Sequence, residues 1–148
     1  MEVVPPRDAK ILLCSSFTVL ASCAGAVYYK LYDCLTTSVA TLICSINYWR
    51  HPVYGWRRNI DIMNISSGAI YHAWKALDTD RVYCMGYIGF ILMGVGCYIL
   101  SRHIQGRSSV YAHSMMHVLG NIGNMFLYMG LYNAGEHDLF FPRQSSDE

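Results

Sequence analysis

Tyr111-Ala-His-Ser-Met-Met-His117-Val-Leu-Gly120 opens an apolar run that continues to about Tyr132. Histidines four residues apart fall on one face of a helix, and Asn121, Asn124 and Tyr128 follow them at helical intervals. Lipid penalises polar side chains, so ionisable groups in such a run face a bundle interior and mark a candidate functional site. The stripe reads either as the lining of a cavity or metal site, or as a set of groups that only hydrogen-bond to neighbouring helices.

The rest of the chain agrees with a membrane setting. Of its 148 residues, 53% are hydrophobic and 14% charged, whereas charge runs nearer about 25% in a soluble domain. Mean hydropathy is +0.23. The expected fold is an all-α, polytopic transmembrane helix bundle with spans near 11–30, 34–49, 60–77, 83–102 and 109–132. Two of these are marginal for the roughly 20 residues needed to cross a hydrocarbon core. Five such spans take up most of residues 1–148, which leaves short loops and a single helical domain.

A net charge of +1 gives no basic face for nucleic acid. The expected partners are membrane lipid and either a second copy of the chain or another membrane protein. Cys14, Cys23, Cys34, Cys44, Cys84 and Cys97 lack Cys-x-x-Cys spacing and read as small packing residues. The ends, Met1–Pro6 and Asn133–Glu148, read as solvated, His137 included. In the first span, Arg7 and Lys10 precede the apolar core, Ala24-Gly25-Ala26 resembles a signal-peptidase site and Leu20-Ala-Ser-Cys23 a lipobox. The apolar stretch reaches Tyr29, so a retained helix is favoured over a cleaved signal.

Lys and Arg are divided unevenly between the two sides. Arg7, Lys10, Arg50, Arg57, Arg58, Arg102 and Arg107 fall on the N-terminal side, against Lys30, Lys75, Arg81 and Arg143 opposite. The positive-inside rule then puts the N-terminus in the cytoplasm and the C-terminus outside or in a lumen. Ser45, Asp61, His113 and His117 gather toward the cytoplasmic leaflet, with His51 and His103 in or beside the loops there. His72 lies roughly 16 Å beyond Asp61 along the third span, too far to share an ion with it. Tilted helices would still bring His72 toward His117.

Between the second and third spans, Asn47-Tyr-Trp-Arg-His-Pro-Val-Tyr-Gly-Trp-Arg-Arg58 interleaves rings and arginines, which suits a headgroup anchor. Pro52 ends the preceding helix and Gly55 permits a tight turn. Gly86, Gly89, Gly94 and Gly96 in the fourth span read as close helix packing.

Ser45-Ile-Asn-Tyr-Trp49, Asp61 after Arg57-Arg58, and His113-x-x-x-His117-Val-Leu-Gly occur in that order. This pattern resembles the membrane hydrolase superfamily of alkaline ceramidases, adiponectin-type receptors and the GPI-processing type of membrane phospholipase. The resemblance implies that His113 and His117 bind zinc, with Ser45 and Asp61 holding or polarising a zinc-bound water. It also implies a lipid amide or ester as substrate. Two features depart from the family: Trp49 stands where it has a third zinc histidine, and the family bundle has seven helices. An indole is no substitute for an imidazole ligand.

Catalytic zinc takes three protein ligands and an open position for water. His51, His72, His103 or Asp61 is the candidate third ligand, and Asp61 is otherwise a general base or a carboxylate that orients a ligand histidine. His51 is nearest the vacant position but offset from it by two residues. The readings are therefore a zinc-dependent lipid hydrolase or an inactive remnant of one, a non-catalytic scaffold or accessory subunit whose polar stripes join helices, and bis-histidine haem ligation by His72 and His117.

Overall fold

The computed structural model describes residues 4–140, the side chains of 136–140 excepted. Expectations resting on residues 1–3, on the His137 side chain and on 141–148, Arg143 included, lie outside the described residues. Six helical segments follow one another: α1 (Pro6–Ser16), α2 (Val19–Tyr28), α3 (Tyr32–Trp49), α4 (Trp56–Ala76), α5 (Arg81–His103) and α6 (Arg107–Phe140). Since α1 and α2 form one interrupted rod, the described residues make a bundle of five rods near the positions expected. Three bounds differ by four residues or more: α1 begins at Pro6, α4 begins at Trp56, and α6 continues past Tyr132 to Phe140.

The interruption at Phe17 and Thr18 has a local cause. Ser15 and Ser16 both donate to the Leu12 carbonyl, and Thr18 donates to that of Ser15. Such hydroxyls compete with the helical ladder for its acceptors, and the backbone tightens to three-residue bonds from Phe17 N–H to Cys14 and Leu20 N–H to Phe17. α2 ends with Lys30 at φ 58, while Leu31 N–H bonds to Ala26 and Lys30 N–H to Val27. That is a Schellman ending with lysine in the place glycine normally takes. Gly55 at φ 151 starts α4 and Gly106 at φ 70 turns α5 into α6.

α5 and α6 interlock. Gly86 faces the Phe126 ring, Gly123 faces Phe90, and Gly130 faces Tyr83 and Thr79, so small residues on each helix receive large ones from the other. Gly94 also meets α6, at Met116 and Leu119, whereas Gly89 and Gly96 face open space; the expected glycine packing face thus holds at two of its four positions. The α1/α2 rod packs on α3 and α6, α3 packs on α4, and α4 meets α5 and α6 less extensively.

Polarity runs from inside to outside. Ser16, Ser22, Ser38, Ser45, Asp61, His72 and Asn121 are buried, while Ile43, Met63, Ile70, Leu92, Met93 and Ile99 are exposed. Pro6–Tyr28 and Arg81–His103 are long and apolar enough to cross a membrane. The other three expected spans do not meet that measure among the described residues, and only 17% of the apolar window of α5 is buried, so its apolar surface points outward.

Candidate functional site

A cavity of about 340 Å³ lies within the bundle, bordered by all six segments. Its wall includes Ser45 from α3, His72 from α4, Tyr87 and Tyr98 from α5, and His113, His117, Asn121 and Asn124 from α6. The expected polar stripe of α6 does face inward, and its tyrosine, Tyr128, is fully buried and bonded to Ser38 at 2.9 Å.

From His117 to His72 the stripe becomes a continuous ladder. The His117 Nδ1 lies 2.9 Å from Ser15 Oγ, which is also 2.9 Å from the Leu12 carbonyl. Asn121 Nδ2 donates to the His117 carbonyl at 2.6 Å and to Thr18 at 3.1 Å. Ser22 donates to Asn121 Oδ1, Asn124 donates to Ser22, and His72 Nδ1 meets Asn124 Oδ1 at 3.1 Å. The partners Ser15, Thr18 and Ser22 were not among the residues expected at the site. Their signal is nonetheless present, because the two serines are seven residues apart with the threonine between them, on one helix face.

Across the cavity, Ser45 Oγ donates to Asp61 Oδ1 at 2.7 Å, and both residues are buried. Asn64 donates to Thr41 at 3.0 Å one turn away. These four groups join α3 to α4 directly. His72, through Asn124, and Ser38, through Tyr128, carry side-chain hydrogen bonds from these two helices to α6.

His113 and His117 stand edge to face with ring centroids 5.2 Å apart, and His113 also meets Trp49 at 5.2 Å and Tyr98 at 5.7 Å. Ser15 holds His117 by Nδ1 and leaves Nε2 as the ring nitrogen without a side-chain hydrogen bond among the described residues, the arrangement of an oriented ligand histidine. A third ligand is missing. Among the described residues no three His, Cys, Asp or Glu side chains lie close enough to hold an ion. Trp49 fills the space beside His113, His51 and His103 are exposed, and Asp61 is turned to Ser45. The side chains present do not make the three-ligand zinc set that the resemblance implies. All six cysteines are free, and only Cys34 is fully buried.

A second polar cluster lies at the opposite end of α4. Tyr71 and Lys75, four residues apart, reach Asp33 Oδ2 at 2.6 and 3.0 Å, and Cys34 N–H bonds to Oδ1. Asp33 sits at the start of α3, ahead of the apolar stretch 34–49. Partial burial works to raise its pKa, but the Tyr71, Lys75 and Cys34 donors outweigh it and hold the carboxyl well below the usual carboxylate range. A depressed folded-state pKa contributes stability that is complete above the unfolded value of about 3.9 and is lost as pH falls below it. The side chain is 41% exposed, so screening limits the pair to about 0.5–1 kcal/mol. The expected result is a stability gap between wild type and Asp33→Asn that is constant from pH 7 to 5 and shrinks below about pH 4. A gap that instead widens on acidification would refute the assignment.

No family model, curated protein or solved structure matches this chain.

Proposed function

We propose that the chain is a multi-pass membrane protein without catalytic chemistry, a scaffold or accessory subunit whose interior polar groups set the register of its helices. Its N-terminus faces the cytoplasm, by the division of Lys and Arg between the two ends. One observation carries the reading: the side chains that looked catalytic are bonded across helices to one another, Ser45 to Asp61, His117 to Ser15 and His72 to Asn124. Each such bond contributes about 0.6 kcal/mol in a membrane bundle. Several together specify one arrangement of the rods.

The competing reading is a zinc-dependent lipid hydrolase or a reduced member of that class. It is favoured by one feature, the paired His113 and His117 rings bordering the same cavity as Ser45. Elemental analysis of detergent-purified protein beside the His113→Ala/His117→Ala variant separates the two, with folding of both checked by size exclusion. The scaffold reading expects the same trace metal content in both. Near-stoichiometric zinc that disappears in the variant would overturn it and direct attention to lipid amides and esters.

A further inference from the structure

The ladder fixes where the His72 proton sits. Its starting point is unambiguous: the His117 carbonyl only accepts, so the Asn121 atom 2.6 Å from it is the amide nitrogen. Asn121 then turns its oxygen to Ser22, which donates to it. A hydroxyl has one proton, so Ser22 accepts from Asn124, and the Asn124 atom 3.1 Å away is Nδ2. That leaves Asn124 Oδ1 facing His72, where it accepts from Nδ1–H. A neutral imidazole protonated on Nδ1 carries its lone pair on Nε2. This nitrogen is buried with no partner, on a residue only 4% exposed that lines the cavity.

An orphaned acceptor in a cavity calls for a donor, because leaving it unpaired is costly. The lining contains no Asp, Glu, Lys or Arg, so neither an ammonium nor a carboxylate headgroup would find a counter-charge there. A neutral donor is the matching chemistry. Apart from the histidines, amides and hydroxyls, the wall is apolar, and its residues Ile62 and Val95 are 39% and 47% exposed. They place the mouth of the cavity between α4 and α5, on the apolar outer surface.

We propose that the cavity binds an aliphatic alcohol, entering between α4 and α5, with its hydroxyl donating to His72 Nε2 and its chain lying along Ile65, Ala69, Ile91 and Val95. The assignment rests on the reading of the chain as a non-catalytic membrane bundle and gives that bundle a ligand.

The test is nitrogen NMR of histidine-labelled, detergent-solubilised full-length protein titrated with 1-decanol and with decyl methyl ether. The ether matches the chain but cannot donate. The expected result is a His72 Nε2 signal of the unprotonated class that moves saturably with 1-decanol, and an ether affinity roughly three- to tenfold weaker, the worth of one neutral hydrogen bond. In His72→Phe, which keeps a flat ring, the two affinities become equal. Equal affinities in the wild type, a difference that persists in folded His72→Phe, or no response to 1-decanol would each overturn the proposal. The wild-type comparison decides even if the variant does not fold. Zinc content and decyl acetate hydrolysis, measured on the same samples, report separately on the non-catalytic reading, because a positive result there leaves the alcohol-to-ether difference intact.

Discussion

Replacing Asn121 by leucine is expected to lower the unfolding free energy by about 2–3 kcal/mol, the largest loss from any single polar position. Its side chain holds three bonds to three different groups, Thr18, Ser22 and the His117 carbonyl. At the membrane average each is worth about 0.6 kcal/mol, which accounts for the lower figure. The rest comes from what is left behind. Ser22 loses the acceptor for its proton, and Asn124 and His72 lose the polarity that aligns them; stranding one buried polar group costs about 1–3 kcal/mol. The measurement is equilibrium unfolding in mixed micelles with increasing denaturing detergent. A loss below about 0.5 kcal/mol would mean that the ladder does not hold the α1/α2 rod to α6.

Gly130→Ala carries the second large effect, through packing instead of hydrogen bonding. A Cβ at this position would come within 2.6 Å of Tyr83 Cβ and 2.9 Å of Thr79 Cβ. Those atoms sit next to the backbone and cannot swing away, so α5 and α6 must separate locally. Overpacking of this kind costs about 1–3 kcal/mol, against a helix-propensity gain of up to about 1 kcal/mol for alanine over glycine. The expected net loss is about 1–2 kcal/mol by the same unfolding measurement. Gly96→Ala, where a Cβ meets nothing within 4 Å, keeps the propensity gain without the clash and is expected to be neutral or slightly stabilising. If both substitutions behave alike, the interlocked seam is not a source of stability.

The rods were legible in the sequence because each depends on local information. Apolar run length, Pro52 and Gly55 set most helix limits to within about four residues, the start of α1 and the end of α6 excepted, and the spacing of His113, His117, Asn121, Asn124 and Tyr128 shows which face of α6 turns inward. Which group each polar residue meets was not legible, since a stripe shows direction but not distance along a neighbouring helix. Ser45 was read as a holder of zinc-bound water and is bonded to Asp61. Ser15 and Ser22 lie in an apolar span where only their helical spacing marks them, though they carry two steps of the ladder. The Asp33 cluster went unread for another reason: Asp33 and Lys75 are far apart in sequence, and only the antiparallel course of α3 and α4 brings them together.

The fastening of α4 has a kinetic meaning. It is tied to α3 near one end by Ser45–Asp61 and Asn64–Thr41 and near the other by Asp33 with Tyr71 and Lys75. Toward α5 and α6, among the described residues, two side-chain hydrogen bonds cross: Tyr87 to the Ala69 carbonyl and His72 to Asn124. α3 is tied to α6 by Ser38 and Tyr128, so any parting of α4 from α5 and α6 has to break the two bonds of α4 itself. On the proposed route of entry between α4 and α5, His72–Asn124 is one of the contacts that a widening gap would strain, and it is also the contact that leaves Nε2 as the ring nitrogen facing an arriving hydroxyl.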